Sequence, residues 1–210
     1  MKKIGWILFG LITFSFIAGV IVYPYLPERV ASHWNAVGQV DGYSGRFVGA
    51  YLMPIIVAIL TGLLWLIPRV DPLKANIEKF KKYYQGFILV FILFMILIYA
   101  QTLLWNFGIK ISPMTIFPFG FAGLMFYLAI LLEHAEQNWF VGIRTPWTLS
   151  SPTVWKKTHW LGAKLYKLSA LIALIGVLFP KFAIVFILAP ILSASIYLVI
   201  YSYLEFKKAQ

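Results

Sequence analysis

The chain has 210 residues, 61% of them hydrophobic and only 12% charged, with a formal net charge of +11 and no cysteine. That balance excludes an ordinary water-soluble domain, where about a quarter of residues are charged, and the missing cysteine excludes disulfides, thiolate metal centres and cysteine nucleophiles. The basic excess reads as the flanking lysines and arginines that orient membrane spans, so the lipid bilayer is the expected partner and no direct contact with nucleic acid is expected.

Lys2 and Lys3 precede an apolar run, Ile4 to Tyr23. At about 1.5 Å per residue it is long enough to cross a hydrocarbon core of about 30 Å. It ends in Tyr23-Pro24-Tyr25-Leu26-Pro27 and lacks a small-residue cleavage site, so it is expected to be a retained span. The segment that follows, through Tyr43, is too polar for lipid and is punctuated by Gly38 and the turn dipeptide Asp41-Gly42. A second span is expected from Phe47 to Ile67, with Pro54 marking a kink or a frayed start. Arg69, Lys74, Lys79, Lys81 and Lys82 then make a short basic loop.

A third span is expected from Tyr84 to Trp105 and a fourth from Met114 to Leu132, the latter ending in Glu133-His134-Ala135-Glu136-Gln137. The passage Asn138 to Leu149 is polar and aromatic and holds Gly142, Arg144, Pro146 and two tryptophans, too many specific parts for a plain connector. Ser151 is a good helix N-cap with Pro152 at the first helical position, which predicts one long helix, amphipathic to about Ala163 and then a fifth span from Leu165 to Phe179. Pro180-Lys181 predicts a tight hairpin, and a sixth span, kinked at Pro190, is expected from Phe182 to Tyr203.

With the amino terminus in the cytosol, that side receives Lys2, Lys3, Arg69, Lys74, Lys79, Lys81, Lys82, Arg144, Lys156, Lys157, Lys164, Lys167, Lys207 and Lys208, fourteen of the 18 basic residues. Arg29, Arg46, Lys110 and Lys181 fall outside. The expected fold is therefore all-α, a polytopic membrane protein of six transmembrane helices with both termini inside. It forms one membrane domain with three regions: 1–67, a two-span region with the outer polar segment 24–46; 68–132, spans three and four with the basic inner loop 68–83; and 133–210, the inner loop, amphipathic helix and last two spans.

No Asp, Glu, Lys, Arg or His falls near the centre of a span, which argues against a proton-coupled transporter and moves recognition to the membrane faces. On the inner face, Glu133, His134, Glu136 and His159, with Asn138, are candidates for a metal or acid–base cluster, but their spacing does not match a zinc helix motif, and no metal or cofactor is expected. The bland alternative is a charged helix end pairing with Lys156, Lys157 or Arg144. Trp155, His159, Gly162 and Tyr166 share one helix face, either as packing or as a ligand stripe. Arg144 offers five donors, for a partner, for a lipid headgroup, or for a pair with Glu133 or Glu136. On the outer face His33, Trp34 and Asp41 form either a small polar site or a turn that caps helix ends. No catalytic triad, phosphate loop or dinucleotide fingerprint is present, and catalysis is not expected.

The passage from Asn138 to His159 closely resembles the signature of the SdpI family of bacterial membrane immunity proteins. Asn138, Gly142, Arg144, Thr145, Pro146, Trp147, Thr148, Leu149, Trp155 and His159 carry that likeness. The outer residues Pro27, His33, Trp34, Gly38, Asp41 and Gly42 resemble the small domain of unknown function that accompanies it. The resemblance implies a multi-pass protein of the bacterial cell membrane that confers resistance to a secreted killing peptide met from outside. It also implies signal transduction, in which a cytosolic transcriptional repressor is recruited to the membrane. Two other readings stand beside it: a small-molecule or lipid transporter with a mid-membrane cavity lined by Gln101, Ser193, Ser195 or tyrosines, and a membrane enzyme at the inner face.

Overall fold

The computed structural model describes residues 2–208. Among the described residues six long helices pack into a bundle, one end of which carries a β-hairpin. α1 is Lys2–Val22, followed by a 3-10 turn at Tyr23–Tyr25 where Pro24 breaks the helix. β1 is Val30–Trp34 and β2 is Val40–Ser44. α2 is Arg46–Val70, α3 is Lys74–Asn106 and α4 is Pro113–His134. A single-turn helix α5, Pro146–Ser150, precedes α6, Pro152–Ile175, and α7 is Ala183–Lys208. The sequence is all-α in its membrane part as expected; the hairpin is an addition to that reading.

Five helices, α1 to α4 and α7, are long and apolar enough to cross a membrane. α6 does not meet that standard because Lys156, Lys157, Lys164 and Lys167 lie along it, so the expected fifth span rests on its apolar second half alone. Side chains such as Phe9, Phe14, Ile17 and Ile21 of α1 are exposed, a surface suited to lipid and not to water.

Pro54 and Pro68 lie inside a continuous α2, so Pro54 is not a frayed start. Each proline removes the N–H that would bond the carbonyl four residues back. α3 supplies the missing donors: Tyr99 Oη donates to Ala50 O at 2.7 Å and Tyr84 Oη donates to Leu64 O at 2.7 Å. The prolines of one helix thus fix where the tyrosines of its neighbour sit. Gly19 of α1 packs where a Cβ would come within 2.8 Å of the same Ala50 carbonyl, so all three helices close on this point.

The basic loop expected at 68–83 is mostly helix. α2 runs to Val70 and α3 starts at Lys74, with a kink at Phe80 (φ −114°, ψ 15°). Ile77, Phe80 and Tyr84 recur at helical spacing and are buried, while Lys74, Lys79 and Lys82 are exposed. The lysines therefore decorate a helical extension. α4 and α6 approach closely over small residues, with Ala122, Ala129, Ala163, Ala170 and Ala173 in the buried clusters between helices. A 3-10 turn at Pro180–Phe182 closes the expected hairpin into α7, which includes Pro190.

Candidate functional site

The hairpin end is built from the turn outward. Asn35 Oδ1 accepts from Val37 N at 3.1 Å and Gln39 N at 2.9 Å, and Gly38 takes φ +81°, a value that L side chains rarely adopt. β1 and β2 pair antiparallel, Val30 opposite Ser44 and Trp34 opposite Val40, with irregular register around His33. Gly42 faces His33, where a Cβ would come within 2.8 Å of the His33 Cβ. His33 Nδ1 and Asp41 Oδ1 are 2.5 Å apart and exposed. Trp34 stands edge-on to Trp105 at 5.7 Å.

Asn106, at the end of α3, clamps the hairpin. Its Oδ1 accepts from Ala31 N at 2.8 Å and its Nδ2 donates to Ala31 O at 3.0 Å. A Cβ on Gly49 would meet Val30 at 2.6 Å, and one on Gly38 would collide with Ser112 Oγ, so the hairpin lies directly on α2 and the start of α4. His33, Trp34, Gly38, Asp41 and Gly42 are thus held in one small element. Pro27 is exposed on the approach to β1 and outside that element.

At the opposite end lies the stretch between α4 and α6. Asn138, 0% exposed, organises it: Nδ2 donates to Glu136 O and Val141 O, each at 2.9 Å, while Oδ1 accepts from Phe140 N at 2.9 Å and Val141 N at 2.6 Å. Gly142 has φ +114° and lies against the His159 ring, so a side chain there is excluded by conformation and by space. The next amide, Ile143 N–H, donates to His159 Nε2 at 3.0 Å, and His159 Nδ1 donates to Trp155 O at 2.8 Å. Both ring nitrogens are used in the neutral state. Burial pushes the His159 pKa down from 6.5 to about 4.

Thr145 caps α5 in a capping box with Thr148: Thr148 N donates to Thr145 Oγ1 at 3.2 Å and Thr145 N to Thr148 Oγ1 at 2.9 Å. Thr145 Oγ1 is also 3.0 Å from Ser202 Oγ of α7. Pro146 occupies the first helical position, Trp147 packs against Tyr203 of α7 with ring centroids 5.1 Å apart, and Gln137 Nε2 donates to Leu149 O at 2.6 Å. Trp155 is buried, donates from Nε1 to Ala135 O at 2.7 Å and stacks on His159. Ser151 caps α6 by accepting from Val154 N.

Three supports come from residues that local sequence reading passes over. Asp71, 2% exposed, accepts from Leu73 N at 2.6 Å on one oxygen and from Trp139 N at 2.9 Å on the other. Asn76 Nδ2 donates to Gln137 O at 2.8 Å, and Ser202 reaches Thr145. These partners are 68, 61 and 57 residues away, beyond any local pattern.

Among the described residues Arg144 forms no ion pair with Glu133 or Glu136. One guanidinium nitrogen donates to Trp139 O at 2.8 Å, and the side chain is otherwise exposed beside the exposed Trp139 and Phe140. Glu133 pairs with Lys167, and the His134 ring stacks on Tyr83 at 3.6 Å with its Nδ1 on Ile130 O. Glu133, His134, Glu136 and His159 border an open cavity of about 600 Å³ with Lys156, Trp160 and Tyr201. No group of three His, Cys, Asp or Glu that could hold a metal occurs among the described residues. His159, with both nitrogens committed, is a structural member of the wall.

Residues 134–202 match the SdpI/YfhL protein family, and residues 10–58 match a domain of unknown function, DUF1648. The chain is 24% identical over 199 residues to the immunity protein SdpI of Bacillus subtilis (strain 168), covering 94% of this chain and 93% of that protein. No solved structure matches. The first matched region contains the hairpin, and the second contains the whole Asn138 to Leu149 stretch with its Ser202 tie. Carrying a DUF1648 region and then an SdpI/YfhL region, the chain is a multi-pass bacterial membrane protein similar along nearly its whole length to that immunity protein.

Proposed function

We propose that this chain is a membrane immunity protein that protects its cell from a secreted antimicrobial peptide met at the hairpin end. We further propose that the Asn138 to Leu149 surface faces the cytosol and receives a protein partner, a transcriptional repressor, there. The observation that carries the first reading is the end-to-end similarity to an immunity protein, which takes in both the hairpin and the signature stretch. The concentration of lysine and arginine around the signature end supports placing that end in the cytosol.

The geometry supplies a physical route between the two faces. α4 is capped at its start by Ser112, where the hairpin turn rests, and ends at His134, where the signature begins. A peptide that favours one packing of the hairpin on α4 would bias the other end through a rigid helix. Arg144 offers its unused donors next to exposed Trp139 and Phe140, a surface suited to an acidic and apolar patch on a partner.

The test is survival of a peptide-sensitive host that makes the protein, with recruitment of the cytosolic partner followed by membrane fractionation. The unaltered chain should raise survival. Arg144→Ala with Trp147→Ala, at unchanged membrane abundance, should retain survival and lose recruitment. If that double variant kept both, the signature stretch would not be the working surface; if the unaltered chain gave no survival against any secreted peptide tried, the immunity reading would fall.

A further inference from the structure

At the hairpin end four polar atoms are buried without a partner, on Trp34, Ser44, Arg46 and Gln101, and two of them, on Trp34 and Gln101, belong to side chains that line one cavity. Gln101 is 1% exposed; its Nε2 donates to Ile111 O at 3.0 Å, which fixes the orientation of the amide and leaves Oε1 as an acceptor with no donor. Trp34 Nε1–H is a buried donor with no acceptor. Orphan polar atoms of this kind are rare in folded chains, and here one of each sign lies on side chains that line the same space.

The cavity measures about 290 Å³. The hairpin roofs it, α3 forms its back, and α2 and α4 flank it; apart from the two orphan groups its wall is mainly apolar, with Leu52, Met53, Ile98 and Phe117. Its volume is close to the lower end of small-ligand pockets, about 300 Å³. No lysine, arginine, aspartate or glutamate lines it, and the only titratable side chain in its wall is His33. An occupant therefore has to be apolar and uncharged in its body, and has to present one hydrogen-bond acceptor and one donor.

We propose that this cavity binds an apolar polypeptide segment, one or two large side chains filling the space, with a main-chain carbonyl accepting from Trp34 Nε1 and a main-chain N–H donating to Gln101 Oε1. The peptide unit carries both groups on a neutral frame. An acyl chain carries neither, and a phospholipid ester supplies acceptors but no N–H. The assignment gives the proposed immunity function a recognition site, and it rests on that function only for the source of the peptide.

The experiment uses the full chain in phospholipid nanodiscs with isotope-labelled tryptophan indoles, the Trp34 signal being identified by its loss in Trp34→Phe. The probe is N-acetyl-leucyl-phenylalanine methylamide, compared with its depsipeptide analogue, in which an ester replaces the central amide, and with dihexanoylphosphatidylcholine. A saturable shift of the Trp34 indole is expected with the amide, with binding about tenfold weaker for the ester on the unaltered chain and about tenfold weaker for the amide on Gln101→Leu. Because the ester comparison needs no variant, it stands even if Gln101→Leu folds poorly.

No saturable shift, equal affinity for amide and ester, or an equal shift with the phospholipid overturns the assignment. Host survival without probe binding overturns the assignment and leaves the immunity reading in place. Probe binding as expected, with no survival, upholds the site and removes the immunity reading.

Discussion

Tyr99→Phe removes one hydroxyl and leaves the ring in place, so it isolates the bond to Ala50 O. Ala50 is 0% exposed and Tyr99 3%, and Pro54 has already taken away the helical donor for that carbonyl. The variant leaves a buried acceptor unmet, at a cost of about 1–3 kcal/mol. In a Pro54→Ala background residue 54 regains its N–H, the helix satisfies Ala50 O by itself, and the same Tyr99→Phe should cost only about 0.5–1 kcal/mol. The expected coupling, about 1–2 kcal/mol, exceeds the error of additivity, about 0.3–0.5 kcal/mol. Thermal unfolding of the four chains in one detergent, followed by tryptophan fluorescence, measures it. On the scale for chains of this size, about 2–4 °C per kcal/mol, the single variant should lower the midpoint by about 2–12 °C. If Tyr99→Phe cost the same with proline or alanine at 54, the tyrosine would not be replacing the missing amide, and the account of why these helices are in register would be wrong.

Gly142→Ala should lower the same midpoint by about 5 °C or more, since it combines a disfavoured φ with a Cβ against the His159 ring, whereas Gly62→Ala, in open space on α2, should leave it unchanged or raise it slightly. Because burial holds the His159 pKa at about 4 against 6.5 unfolded, its contribution is complete above about pH 6.5 and is lost as the pH falls to about 4, roughly 3 kcal/mol in all. Midpoints taken across that window should fall for the unaltered chain, and the difference from His159→Gln should shrink with acidity; a constant difference refutes the neutral-ring assignment. Arg144→Ala, at an exposed side chain with one hydrogen bond, should change the midpoint by less than about 2 °C while abolishing partner recruitment.

The long apolar runs were legible because lipid demands about 20 apolar residues in succession. The helix start at Ser151-Pro152 was legible because capping chemistry is local, and the structure has Ser151 accepting from Val154 N. What escaped were arrangements decided across the chain. Val30–Trp34 and Val40–Ser44 mix polar and apolar residues, so they read as a polar segment; the β-forming Val30, Trp34, Val40 and Tyr43 around the Asn35–Gly38 turn were the available signal. Lysines at 74, 79 and 82 masked the Ile77, Phe80, Tyr84 spacing that makes this stretch helical. Asp71 lies beside the basic residues at 69 and 74, and nothing local marks it, because its partner amide at Trp139 lies 68 residues later. Pro54 looked like a defect until the donor of Tyr99, on another helix, was placed beside Ala50.

α4 has 22 residues, a rod of about 33 Å at 1.5 Å per residue, close to the thickness of a hydrocarbon core. It therefore acts as a ruler as well as a link. One residue inserted or deleted within it would turn the hairpin contact relative to the signature by about 100° and misalign the two faces, although either face would still be well formed. Length variation among natural variants should accordingly avoid the interior of this helix and collect in turns such as Asn35 to Gln39. A bilayer a few ångströms thinner or thicker would press on both faces at once, which makes lipid thickness itself an input to whatever this helix reports.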